Sequence, residues 1–234
     1  GLGFPDVVGL LAMALVLCGL GSAMVRGVST SRALVRASRT AHALRPTGGE
    51  LVLIDDAVPV AYSVLGFPGR IVVSTAMLAV LSAGERRVLL AHEASHLRNR
   101  HQLYFGLTRL AAAADPLLRP LARAVSRAVE RAADEDAAAA VGDRQLAARA
   151  LAHAALARRA GAHPVPAVAL GVADGSAGQM VDRVRSLLAP PTPYRQLPVI
   201  LVLLAAVASW AAAFVLAAWG DGLVEVAEAV YARR

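Results

Sequence analysis

The sequence predicts an α-rich α+β domain with a small β-sheet, flanked by transmembrane helices. Three observations predict it: two long uncharged apolar runs, one stretch of short β-branched segments, and helical periodicity elsewhere. Residues 7–25 carry no charge over 19 positions, and residues 199–219 none over 21. About 20 apolar residues in helical form cross the roughly 30 Å of a bilayer's hydrocarbon core. The first run lacks a basic segment before it and a cleavage site after it, so a spanning helix is expected rather than a removable signal. Its abrupt start at Gly1 also suggests a piece of a longer chain.

The β-like stretch comprises residues 51–54, 58–64 and 70–74, punctuated by Asp55-Asp56, Pro59 and the turn-forming Gly66-Phe67-Pro68-Gly69. Beyond it the pattern is helical. Ser82 with Glu85 three residues on is a capping box that opens a helix through Val88, Leu89 and His92. Asp115-Pro116 reads as an N-cap followed by proline at the first helical position. An alanine-rich helix then runs to Val141, where Gly142-Asp143 ends it and caps the next. Pro190-Pro191-Thr192-Pro193 is a stiff linker to the second apolar run. The expected organisation is therefore a membrane helix (1–25), a basic and partly helical connector (26–50), a folded domain (51–195), a second membrane helix (196–220) and a tail (221–234).

The 234 residues are 57% apolar and 4% aromatic with a formal net charge of +7, and the mean hydropathy is +0.55. All 24 basic residues are arginine. They alternate with alanine and leucine, without the aromatic side chains that stack bases, which argues against nucleic acid as a partner. As a topology signal they are more coherent. Between the two apolar runs lie 22 arginines against 13 acids, with Arg26, Arg32, Arg36, Arg39 and Arg45 just after the first run. Arg183, Arg185 and Arg195 precede the second, so the positive-inside rule turns the central domain toward the cytoplasm of a bacterial-type inner membrane. The lone Cys18 excludes a disulfide or a thiolate metal cluster.

Chemistry enters with His92-Glu93-Ala94-Ser95-His96. Histidines four apart lie on one helix face and can reach a single Zn²⁺, while Glu93 can lean over the metal's open position as general base. A catalytic zinc needs a third protein ligand. Glu130, with Asp134 four residues on, supplies a carboxylate for the metal and a second to orient a zinc histidine. Because Asp134-Glu135-Asp136 is a continuous acidic run, a solvated face is the competing reading.

H-E-x-x-H followed by E-x-x-A-D resembles the integral-membrane gluzincins, the M48 and M56 peptidases, over residues 58 to about 188. Pro68 to Ser74 is similar to their edge strand, Glu85 to Ala91 to their lead-in, and Ser126-Arg127 to the M48 form. Two features favour M56, the antibiotic-sensor branch: Glu130 follows His96 at an interval of only 34 positions, and Arg98 to His101 is a basic cluster. The resemblance implies a zincin-like metallopeptidase domain and a membrane-bound, zinc-dependent endopeptidase acting in regulated signalling. The alternatives are an M48-like quality-control protease and a catalytically silent zinc-binding scaffold. It also implies that Arg183, in Arg183-Val184-Arg185-Ser186-Leu187, stabilises the oxyanion. A protein or peptide substrate is expected to add a strand along Ile71, Val72, Val73 and Ser74. His153 is a weaker candidate donor to the tetrahedral intermediate, and His101 and His163 read as structural.

Overall fold

A computed structural model of the protein describes residues 4–43, 49–66, 68–161 and 177–190. Its elements run α1 (Phe4–Ala43), β1 (Leu51–Ile54), β2 (Ala61–Val64), β3 (Arg70–Ser74), α2 (Thr75–Val80), α3 (Ala83–Arg98) and α4 (His101–Ala114). A 3₁₀ turn (Pro116–Leu118) then leads into α5 (Arg119–Val141), α6 (Arg144–Ala160) and α7 (Ala177–Leu188). The expected α-rich domain with a small sheet is present.

The apolar run at 7–25 and the arginine-bearing connector are one continuous helix, α1, of 40 residues. Among the described residues, no helix is long and apolar enough to cross a membrane. The side chains of α1 before Met13 lie outside the described residues, as does the whole run at 199–219. The part of α1 that is described packs on α4, where Gly19 comes so close that a Cβ would meet the Ala114 carbonyl oxygen at 2.4 Å.

The sheet order is β1-β3-β2. β3 pairs in parallel with β1, Leu51 opposite Ile71, and antiparallel with β2, Ala61 opposite Val73. This corrects the expected substrate strand. Ile71, Val72, Val73 and Ser74 lie in the central strand, whose backbone groups are taken by neighbours on both sides, so no peptide can add there. The edges belong to β1 and β2, and the Ser63 carbonyl of β2 already accepts a hydrogen bond from the Gln102 side chain at 3.4 Å. Alternation along β3 divides the core. Val72 packs with Val52 and Val64 on one face. Ile71 and Val73 face Met77, Leu81, Leu89 and Ala154 on the other.

Capping chemistry sets the helix ends. Ser82 Oγ accepts from the Glu85 N–H at 3.4 Å while Glu85 Oε2 accepts from the Ser82 N–H at 2.9 Å, the reciprocal pair expected. Gly142 closes α5 at φ 74, and Asp143 caps α6 by accepting from Leu146 N at 2.8 Å. At Asp115-Pro116 the outcome differs: proline opens the 3₁₀ turn, and α5 starts at Arg119 with no side-chain cap. Helices α3, α5, α6 and α7 meet in a core of Val88, Ala137, Ala138, Ala147, Ala150, Leu151 and Leu187. Alanine at so many of these contacts lets backbones approach closely, which places polar side chains of α3 and α5 within reach of each other.

One hydroxyl at the end of β3 satisfies two backbone donors. Ser74 is fully buried, and its Oγ accepts from the Val60 N–H at 3.0 Å and the Met77 N–H at 3.1 Å. Ser74→Ala strands both donors and should destabilise the protein by about 2–4 kcal/mol. Denaturant unfolding in detergent checks this, and an unchanged midpoint would contradict it.

Candidate metal centre

Helix α3 presents His92 and His96 one turn apart toward α5, which brings Glu130 to meet them. The Nε2 atoms of the two histidines are 3.1 Å apart, with Glu130 Oε2 3.7 Å from His92 and Oε1 3.8 Å from His96. These three residues form a group that could hold a metal ion, their ligand atoms lying within 4.8 Å of one another. A tetrahedral zinc with bonds of about 2.0–2.2 Å keeps its ligand atoms roughly 3.3–3.6 Å apart, so the spacing fits. Glu130 Oε1 is buried without a hydrogen-bond partner. A buried carboxylate oxygen in that condition is costly unless a cation meets it.

The far side of the His92 ring fixes its proton. His92 Nδ1 lies 3.1 Å from Asp134 Oδ1. An ionised carboxylate only accepts, so the ring proton sits on Nδ1 and the Nε2 lone pair faces the metal position. His96 Nδ1 is 2.9 Å from His101 Nδ1. With the proton on His96, its Nε2 lone pair also turns inward. His101 arrives there because Arg100 adopts the left-handed conformation, φ 50, and turns the chain sharply between α3 and α4. Sequence alone assigns His101 a purely structural part; in the fold it is the hydrogen-bond partner of a candidate ligand.

Arg183 sits inside the site, engaged with carboxylates. Its Nε and one terminal nitrogen bind the two Asp134 oxygens at 2.7 Å each, and its other terminal nitrogen lies 3.0 Å from Glu130 Oε2. Burial opposes ionisation of Asp134, but hydrogen bonds from Arg183 and His92 prevail and hold its carboxyl at about 2. His96 is pushed well below its ordinary value, first by burial and then by the neighbouring His92 and His101, and so is neutral as a ligand must be. Burial raises the Glu93 carboxyl, with His92 and Arg158 pulling the other way. The acidic run is no solvated face. Glu135 is paired with Arg144, and Asp136 accepts from Ser95 Oγ at 2.6 Å and Asn99 at 3.0 Å, tying α5 to α3.

Two residues near Glu93 are not marked by any motif. Ser63, on β2, lies close enough to Glu93 to favour its ionised form, while its Oγ accepts from Gln102 Nε2 at 2.8 Å, so a sheet edge reaches the site. Arg158, on α6, lines a small cavity of about 30 Å³ with His92 and Asp134. Its charge is felt by Glu93, Glu130 and Asp134, yet its guanidinium is in no hydrogen bond or ion pair among the described residues. The one signal for Arg158 in the sequence is the helical spacing that brings it onto the face of Leu151 and Ala154. His153, by contrast, is half exposed and pairs with Glu85 at 2.7 Å, away from the metal position. His163 lies outside the described residues.

Asp134 holds His92 and Arg183 at once, so Asp134→Asn should weaken zinc binding about 10–100-fold. His153→Ala should leave it unchanged. Chelator competition monitored by a zinc-sensitive dye reads both.

Residues 29–111, just over a third of the chain, match the family model of peptidase family M48. The matched region includes both histidines and Glu93 and ends before Glu130. No curated protein and no solved structure matches the chain. The match lies with M48 rather than with the M56 branch that the short histidine-to-glutamate interval favoured, and it supports a metallopeptidase.

Proposed function

We propose that the protein is a membrane-bound, zinc-dependent endopeptidase that hydrolyses peptide bonds of membrane or membrane-proximal proteins. The observation that carries this reading is the convergence of His92, His96 and Glu130 beside a buried Glu93. The match to peptidase family M48 over the histidine pair supports it independently. When bound there, zinc supplies Lewis acidity to the scissile carbonyl and makes water a stronger acid.

The chain's own residues do the rest. Glu93 takes a proton from the attacking water as the new carbon–oxygen bond forms. It returns that proton to the amine nitrogen as the carbon–nitrogen bond breaks, so one carboxyl serves as base and then acid. Its elevated proton affinity suits both halves, because a carboxylate with an ordinary value is a weak base at neutral pH. Arg183, committed to Asp134 and Glu130, positions the ligands rather than meeting substrate. Arg158 takes the electrostatic task that the resemblance assigned to Arg183: a partly buried cation, unspent on any described carboxylate, that can face charge developing on the carbonyl oxygen. Substrate approaches along β2, whose Ser63 lies against Glu93, with Gln102 giving up its bond to the Ser63 carbonyl.

Three variants separate binding from chemistry. Glu93→Gln should keep zinc and lose cleavage of a generic protein substrate; His96→Ala should lose both. Arg158→Gln should lower kcat about 100-fold with little change in KM. Should Glu93→Gln cleave as well as the native protein, the base is misassigned. Should the native zinc-loaded protein cleave nothing, the silent scaffold is the better reading.

The arginine excess after the first apolar run supports a cytoplasmic active site close to the inner membrane face. Alkaline phosphatase fused after residue 219 should be active, because that end then lies outside. Activity of a cytoplasm-only reporter at the same position would invert the orientation.

A further inference from the structure

In an antiparallel pair, residues whose backbone groups face the partner strand alternate with residues whose groups face away. The Val60 carbonyl accepts from the Ser74 N–H at 2.9 Å, so Tyr62 and Val64, two and four positions on, also face β3. The N–H and C=O groups of Ala61 and Ser63 therefore lie along the free edge of β2. Ser63 is opposite Ile71, which packs toward Leu89 of α3, so the Ser63 side chain projects on the α3 side of the sheet.

The side-chain amide of Gln102, the second residue of α4, sits on this edge. Its Nε2 donates to Ser63 Oγ at 2.8 Å and, more weakly, to the Ser63 carbonyl at 3.4 Å. The two ends of the amide are not interchangeable here, because Oε1 turned toward that carbonyl would set acceptor against acceptor. Both amide hydrogens are thus used, while Oε1 is buried without a hydrogen-bond partner. Gln102 as a whole is only 7% exposed. An acceptor taken out of water without a donor is costly, so the arrangement is completed only when a donor arrives. The neighbours of the amide show where that donor enters. Ser63 lies close to Glu93, and the adjoining His101 meets the candidate ligand His96 at 2.9 Å. Gln102 therefore links the strand edge that receives substrate to the helix that carries the histidines.

We infer that Gln102 is a substrate-binding residue whose Oε1 accepts a main-chain N–H of an extended peptide lying on the β2 edge. The inference deepens the peptidase reading and rests on it. A peptide on this edge offers one N–H to the Ser63 carbonyl, replacing the weaker of the two Gln102 bonds. The stronger bond, to Ser63 Oγ, keeps the amide in place, and the soft terminal torsion of glutamine lets Oε1 turn to a second peptide N–H. Because the contact is to main chain, it fixes the register of the peptide without selecting its side chains.

The test measures binding of fluorescein-labelled peptide hydroxamates to the zinc-loaded full chain in detergent. The hydroxamate chelates zinc and so fixes the register; one series extends from its N-terminal side and another from its C-terminal side. Each peptide amide is N-methylated in turn. Gln102→Met keeps the length of the side chain and removes its polar atoms. It should weaken binding about tenfold, with zinc content unchanged. In the native protein, N-methylation at one position should cost about the same factor, and in Gln102→Met that penalty should vanish while the others persist. If Gln102→Met fails to hold zinc, Gln102→Asn, which withdraws the amide by one methylene, should show the same selective loss. Identical N-methyl penalties in native and variant proteins overturn the inference. Tighter binding by Gln102→Met also overturns it, by making the side chain a plug. The expected pattern in a protein that cleaves no peptide leaves Gln102 standing and removes the peptidase reading. Binding of no hydroxamate in either series overturns both.

Discussion

The structure turns on one guanidinium. Arg183 grips Asp134 with two hydrogen bonds and reaches Glu130 with a third nitrogen, so α7 holds together the two carboxylates that α5 aims at α3. Without that cation two buried carboxylates one turn apart would repel, and at least one would take up a proton. With it, Asp134 stays ionised and can hold the His92 ring, and Glu130 stays turned toward both histidines. A buried charge network of this kind is a weak source of net stability, because desolvation offsets most of the attraction. Its value lies in orientation, which is what a ligand set requires.

Orientation is passed outward by close packing. The alanines at the meeting of α3, α5 and α6 bring the backbones near enough for short polar side chains to bridge them, as Asp136 does to Ser95 and Asn99. A larger side chain at Ala137 or Ala150 would spread the helices and lengthen every contact in the site. The sheet serves the same end from the other side. Its Ile71–Val73 face packs under Leu89, and its β2 edge delivers Ser63 to Glu93. Helix α3, helix α5 and the sheet are thus held by three different kinds of contact: apolar packing, an ionic clasp and the hydrogen bond from Gln102 to Ser63.

The charge arrangement changes character along α5. Its first turns carry arginines that face an anion-sized cleft, and its middle turns carry the carboxylates that face a cation-sized one. A single helix therefore offers opposite chemistries at positions two to three turns apart.

Much of the site is legible in the order of residues alone. Histidines four apart on a capped helix must share a face, and so must Glu130 and Asp134, because helical periodicity is a local property of the chain. The capping box at Ser82 and the Gly142-Asp143 boundary are readable for the same reason: they involve residues three apart. What the sequence could not decide was which faces meet. Strand order is not written in any one strand, so Ile71 to Ser74 read as an edge when pairing on both sides makes it the centre. The consecutive apolar residues of β3 did carry a hint, since a strand covered on both faces needs no alternation. Arg183 meets Asp134 across 49 residues, His101 meets His96 only through the left-handed turn at Arg100, and Arg158 enters by the packing of α6 on α3. Local spacing determined which side chains share a helix face; only the tertiary fold, through packing of elements far apart in the chain, decided which charges they face.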